Sequence, residues 1–418
     1  MFDWLDQRLH LRRFSQKFLV KGFPTHPSYL LGEIALFSFI SLVITGIYLA
    51  LLYEPSAREV SLFGKMVPAA FASVVRIDYT SFGLIVRRVH HWSAMVMIGA
   101  ILIHMFRVYF TAAYRNPREI NWLIGVGLFA ITLFAAFTGY LLPYSEFSVT
   151  ATSIGYYMAK SVPWVGEWVA RLIFSGEFPS DMTIPRFYSF HIMLIPLVIV
   201  TLVGLHMLVL IKQKHTEPYK NQFRPEGEGG KRLIGIPLWP QQAMLSLAFF
   251  FMFMSVIFLV ASFFPVNPVA YYGPPKPGTP IMRPDWYFLM VYGMLKLIPG
   301  TIQFTVLGAK ITSETLGGVV FPSLTFLAFI VLPFLDRSPR PVHYNMRLVD
   351  RPFMSSLGFA SITMVSTLIV AGYVDVLGIS IGTMWLIVIG CTIGVWIGSY
   401  FFFRRLQDKN RNILTKRQ

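Results

Sequence analysis

Eight long apolar runs leave this 418-residue chain few ways to fold. Crossing a membrane's hydrocarbon core, about 30 Å thick, takes roughly 20 apolar residues in a helix. Only helices and closed barrels satisfy their own backbone polar groups there. The runs read as spans A 33–53, B 84–110, C 121–141, D 187–211, E 242–264, F 318–335, G 355–373 and H 380–403. They are continuous rather than alternating, which argues against a β-barrel. Charged residues make up 13% of the chain, where a soluble domain carries about 25%. The expected fold class is an all-α polytopic membrane protein with eight transmembrane helices, a four-helix bundle followed by further C-terminal helices.

The net charge of +16 invites a nucleic-acid reading, but its distribution follows membrane topology. With eight spans, segments 1–32, 107–120, 212–232, 336–351 and 404–418 lie on one side, and they hold 24 of the 36 Lys and Arg residues. The positive-inside rule then makes both termini cytoplasmic, or stromal or matrix-facing in an organelle, and the charge calls for no nucleic-acid partner. Residues 1–32 read as an amphipathic helix on the membrane surface, with no cleavable signal peptide. Residues 33–215 form a four-helix domain and 216–240 a cytoplasmic linker containing Glu226-Gly-Glu-Gly-Gly230. Residues 241–418 form a second four-helix domain. Two long outer loops, 144–185 and 265–317, are expected to be functional; the first holds an amphipathic piece around 162–173. The single cysteine, Cys391, reads as a packing residue, and there is no CxxCH for covalent haem attachment.

Four histidines carry the chemistry. His90 and His104 lie 14 residues apart in span B; His191 and His206 lie 15 apart in span D. At about 100° and 1.5 Å per residue, these gaps return to within roughly 40° and 60° of one face, about 21 Å along the axis. Two such helices side by side offer two His–His pairs, one near each membrane surface. Neutral imidazole suits haem iron, and a bis-His site without an open position suits electron transfer. His91 is about 140° out of phase with His104 and is the poorer ligand. His10, His26, His215 and His343 read as interfacial or loop residues.

Gly32 and Gly46 in span A, and Gly125 and Gly139 in span C, share the 14-residue period. Small residues there let a flat macrocycle approach the backbone, although ordinary helix packing uses them too. Arg87, Arg107 and Arg186 flank the histidines and are candidate partners for anionic haem propionates, or snorkelling interfacial residues. In the second outer loop, Pro284-Asp285-Trp286-Tyr287 places a carboxyl group beside a phenol, able to accept and relay a hydroxyl proton.

These residues resemble the cytochrome b family of quinol:cytochrome c oxidoreductases and the related bf complexes. The most specific pieces are Arg87-Arg-Val-His90-His-Trp-Ser-Ala94, His104-Met-Phe-Arg107, Thr138-Gly-Tyr-Leu-Leu-Pro143, Arg186-Phe-Tyr-Ser-Phe-His191 and Pro284–Tyr287. The 15-residue gap is similar to the bf-like branch, here with its two halves fused. The resemblance implies two non-covalent b haems, His90 and His191 holding the outer one and His104 and His206 the inner one. It implies an outer quinol-oxidation pocket from Asp285, Tyr287, Pro284, Trp286 and the stretch from Tyr140 to Glu146. It also implies an inner quinone site near Lys212, Lys214, His215 and Arg118. Quinol oxidation would send one electron to a Rieske iron–sulfur protein and a c-type cytochrome, and the other across the membrane. The expected assembly is a homodimeric complex in lipid.

Three departures stand out. Asp285 replaces the usual Glu, Tyr144 follows Pro143 where Trp is usual, and Leu30 replaces the cysteine that tethers an extra haem in bf complexes. Two rival readings stay open: a di-haem b anchor of a dehydrogenase, which leaves the second half unexplained, and a transporter using the histidines as a proton relay.

Overall fold

The computed structural model describes residues 2–9, 22–23, 26–223, 235–266, 272–276 and 282–415. His10, Glu226–Gly230 and much of the expected surface helix of residues 1–32 lie outside the described residues. Phe2–Leu9 is helical. Among the described residues, eight helices are long and apolar enough to cross a membrane: α1 Pro27–Leu52, α2 Gly83–Phe110, α3 Glu119–Leu141, α4 Thr183–Gln213, α5 Leu238–Phe263, α6 Thr315–Leu335, α7 Pro352–Ala371 and α8 Ile381–Asn412. Each overlaps its expected span. The first starts earlier than residue 33, because Pro27 opens a 3-10 turn whose exposed Ser28 amide is capped by the His26 ring.

The four helices of the first half pair off. α1 packs along α2 and α3 along α4, and both pairings are closer than any contact between α2 and α4. Short polar residues make the α1–α2 seam: Ser41 and Ser93 are both buried and their hydroxyls lie 2.9 Å apart. Such residues let backbones approach and satisfy their hydroxyls inside a bundle. α5 covers α1 and α2, α6 covers α3, and α7 pairs with α8. Cys391, expected to be packed, is exposed on α8, which the rest of the chain covers sparsely in its spanning part.

Among the described residues, three spanning helices depart from α geometry at defined points. α5 opens with a π-helical segment, Leu238–Gln242, kinked at Trp239. Phe190–Leu194 in α4 and Thr315–Val320 in α6 are π-helical. Each of these two segments ends two residues before a proline, Pro196 and Pro322. Proline has no N–H to give the carbonyl four residues back and its ring crowds that carbonyl, so the preceding turn widens.

The connections also hold more regular structure than the sequence predicted. The first long outer loop contains helices Glu146–Lys160 and Gly166–Phe174. The second contains helix Trp286–Leu297 and a hairpin pairing Gln303–Val306 with Ala309–Thr312. A further hairpin, Glu59–Leu62 with Lys65–Pro68, leads into helix Ala69–Tyr79.

Candidate functional site

The structure brings the four histidines together in two facing pairs. The ring centroids of His90 and His191 are 6.2 Å apart, and those of His104 and His206 are 6.5 Å apart. A metal bridging two imidazoles at about 2.0 Å from each nitrogen would hold the centroids roughly 6.4 Å apart. On a straight α-helix the 15-residue gap in α4 would set His206 further off-phase than His104 is on α2. The π turn at Phe190–Leu194, which contains His191, absorbs the extra residue, since a π turn takes one more residue than an α turn.

Side chains behind the first pair fix the rings. His90 Nδ1 lies 2.9 Å from the Thr45 hydroxyl. His191 Nδ1 lies 3.0 Å from the Ala135 carbonyl and 3.2 Å from the Thr138 hydroxyl. With Nδ1 held this way, Nε2 is the nitrogen left for a metal. In the other pair, Nδ1 of His104 is buried without a hydrogen-bond partner among the described residues, and the His206 ring lies against the Asn121 backbone. The Thr partners were missed in the sequence, yet they left a signal: Thr45-Gly46 and Thr138-Gly139 repeat the same dipeptide on α1 and α3.

Each periodic glycine backs one histidine. A Cβ on Gly32 would lie 3.5 Å from His104 Cε1, on Gly46 3.3 Å from His90 Cε1, and on Gly125 3.7 Å from His206 Cε1. On Gly139 it would fall 2.5 Å from His191 Cε1. The four glycines thus make room for imidazole edges. The expected effects of alanine are graded. Gly139→Ala must displace the His191 ring and should lower the haem recovered with the purified chain, whereas Gly125→Ala meets ordinary van der Waals contact and should not. Equal haem content in the two variants, measured by pyridine haemochrome, would refute this ranking.

The three arginines differ. Arg87 makes a bidentate ion pair with Asp78 at 2.6 Å, a partner that no spacing pattern singles out. Arg186 donates to the carbonyls of Arg171 and Leu172, closing the end of helix Gly166–Phe174. Arg107 lies over the Tyr29 ring at 4.1 Å, and its Nε and one terminal nitrogen are buried without partners among the described residues. A buried, partly unpaired guanidinium one turn from His104 fits an anionic group such as a haem propionate.

Below His104, Arg118 is buried and donates to the carbonyls of Lys214 and Val342 at 2.8 and 2.7 Å. His215 packs edge-on against Phe23 and Tyr29. Burial, followed by the Arg107 and Arg118 charges, pushes its pKa down to about 4, so it is neutral near pH 7. The side chains of Lys212 and Lys214 are exposed. Glu33, next to Gly32, accepts from Gln242 and Ser246 of α5 at 3.0 Å each and ties the two halves of the chain together near this end.

At the opposite end, Asp285 and Tyr287 sit where helix Trp286–Leu297 begins. The Tyr287 hydroxyl donates to Asp285 Oδ2 over 3.4 Å. Tyr140, from the end of α3, lies within electrostatic reach of both, and its buried hydroxyl lies against the Asp285 backbone. Trp286 reaches back to α2, 4.0 Å from a Cβ built on Gly99. Arg283 anchors the loop, donating to Asp375 at 2.6 Å and to the Gly372 carbonyl. Burial raises the Asp285 pKa to about 6, against a lowering contribution from the Tyr287 hydrogen bond. Glu146, further along, opens helix Glu146–Lys160, and its amide donates to Gly273.

Comparison with known proteins bears on both halves. The family described as cytochrome b (N-terminal)/b6/petB matches residues 95–274, and cytochrome b (C-terminal)/b6/petD matches residues 277–389. The chain is 34% identical over 384 residues to the cytochrome bc1 complex cytochrome b subunit of Streptomyces coelicolor, covering 88% of this chain and 69% of that protein. Identity to the subunit of the same name from Mycobacterium leprae is 34% over a 437-residue alignment, covering 98% and 77%. Among solved structures, a hyperthermophilic respiratory Complex III chain superposes with a TM-score of 0.71 at 23% identity, over 96% of this chain and all of that one, and so shares the fold.

Proposed function

The chain belongs to the cytochrome b family, and from that premise we propose which of its residues serve the complex and how. It is the cytochrome b subunit of a bc1-type respiratory complex, an integral membrane component of a quinol:cytochrome c oxidoreductase. The family implies b haem. We assign two haems, one to His90 and His191 and one to His104 and His206. The observation that carries the assignment is the pair of ring separations, 6.2 and 6.5 Å, each at the spacing of a bis-imidazole metal site. When bound, the haems supply one-electron transfer between the two sides of the membrane.

The protein's own part is positional and protonic. Thr45, Thr138 and the Ala135 carbonyl orient the first pair of rings, and the four glycines leave space for the imidazoles. Arg107 offers buried donors to an anionic substituent beside His104; Arg87 and Arg186 retain further donors near His90 and His191. At the outer pocket, Asp285 is the proton acceptor for a quinol hydroxyl. Tyr287 and Tyr140 present hydroxyls to the same space, and Pro284 and Trp286 shape its wall. At the inner end, Arg118 and His215 line a quinone site, with Lys212 and Lys214 at its rim.

Completion of the reaction needs partners, since this chain has one cysteine and no CxxCH. A Rieske iron–sulfur protein and a c-type cytochrome supply those centres in a homodimeric complex. Both termini face the cytoplasm of a bacterial plasma membrane, in keeping with the basic residues concentrated on their side. A reduced-minus-oxidised spectrum of the purified complex, with haem counted per cytochrome b chain, tests the assignment. Two b haems are expected, and none or one would remove the four-histidine ligand set.

A further inference from the structure

We propose that Asp78 is a positioning residue for the outer haem: by cancelling the charge of Arg87 it keeps the haem between His90 and His191 easier to oxidise than the haem between His104 and His206. The proposal rests on the ligand assignment above. Arg87 and Arg107 hold matching places on α2. Arg87 comes three residues before His90 and Arg107 three residues after His104, so each lies one turn beyond its histidine, toward the nearer end of the helix. Their surroundings are opposite. Asp78 takes Arg87 by both carboxylate oxygens, one on Nε and one on a terminal nitrogen, each at 2.6 Å. The two side chains are only 14% and 21% exposed, so little water screens the pair. Arg107 makes no ion pair among the described residues. Its guanidinium lies over the neutral Tyr29 ring at 4.1 Å.

A positive charge near a haem favours the state with one more electron and raises its potential. A lone guanidinium acts at full charge. One locked to a carboxylate is a dipole, whose effect falls off faster with distance. Arg87 therefore supplies hydrogen-bond donors without net charge: Asp78 occupies two of its five N–H groups and leaves the others for an anionic substituent. Arg107 supplies donors and charge together. The neighbouring charges do not reverse this difference. Arg88 reaches away, to the carbonyls of Ala261 and Ser262 on α5. Arg186 makes its hydrogen bonds in an exposed setting, where water screens it. Glu33, near the inner pair, turns its carboxylate to Gln242 and Ser246 of α5. The drop in electron energy from the outer to the inner haem is thus built into the two ends of one helix.

The test is a potentiometric titration of the b-haem absorbance in the purified complex. Its two one-electron components are told apart by which one His191→Ala removes. Asp78→Asn should raise the outer component, increasing its reduced-to-oxidised ratio about tenfold at a fixed ambient potential, while the inner component stays in place. Arg87→Gln should move the outer component the opposite way, because it leaves the carboxylate uncompensated. The double variant carrying both changes should return it close to the wild type, since the pair has no net charge. Asp78→Glu should keep the wild-type value. A salt bridge that only holds the fold predicts shifts of one sign in both single variants and no return in the double. That result would overturn the proposal, as would an outer component unmoved by Asp78→Asn, or both components shifting alike. Should Asp78→Asn fail to assemble, the sign of the shift in Arg87→Gln decides the matter. A wild-type titration with a single b haem would refute the ligand assignment instead, before any variant is compared.

Discussion

His191→Ala is expected to leave the purified complex with one b haem per chain instead of two, and His90→Ala to do the same. The two rings face each other at 6.2 Å, so removing either leaves a bis-imidazole site with a single ligand. The helix should survive the change. The π turn around His191 is set by Pro196, and the backbone hydrogen bonds within α4 do not involve the imidazole. The His104–His206 pair, about 21 Å further along the helices, shares no ring contact with the lost one and should keep its haem. His91→Ala is the control: its ring packs against Trp92, and both haems should remain. The readout is haem per polypeptide together with the reduced α-band. Two haems retained in His191→Ala would overturn the ligand set.

Asp285→Asn should slow quinol oxidation by about 10²-fold or more, the usual contribution of a positioned general base, with both haems still present. The pH profile separates this from a structural effect. A proton acceptor must be ionised, and the ionised fraction of Asp285 falls as pH drops through its raised pKa of about 6. Wild-type turnover should therefore decline on the acid side of about pH 6, and the Asn variant should lose that limb along with its rate. Asp285→Glu restores the acid with one more methylene and should recover much of the turnover. An Asn variant with wild-type turnover would take Asp285 out of the mechanism.

Much of the site was legible because it is periodic. The 14-residue interval appears in α1, α2 and α3, and a helix converts that interval into one face, so residue spacing alone was enough to place His90, His104 and the four glycines. The non-periodic parts could not be placed that way. Asp78 precedes Arg87 by nine residues across a turn, and only the chain reversal between helix Ala69–Tyr79 and α2 makes them a pair. Glu33 meets Gln242 and Ser246 across more than 200 residues of sequence. Helix Glu146–Lys160 was unreadable because its Ser- and Thr-rich sequence has weak helix propensity; a capping box at Ser145 and Ser148 and burial against the α3 end stabilise it.

Hydrocarbon leaves a backbone no option but to bond internally, so the order of apolar residues was sufficient to define the eight spans. The four imidazoles were equally plain in the chain, since so few polar side chains enter those spans. The family resemblance implied which histidines pair, but the facing geometry of each pair emerged from packing. It depended on α2 and α4 standing apart, and on Thr45 and the Ala135 carbonyl turning Nε2 inward. It depended also on one wide turn before Pro196 that brings a 15-residue gap into register with a 14-residue one. Periodicity fixes a residue's face on its own helix; which face meets which is a property of the packed molecule.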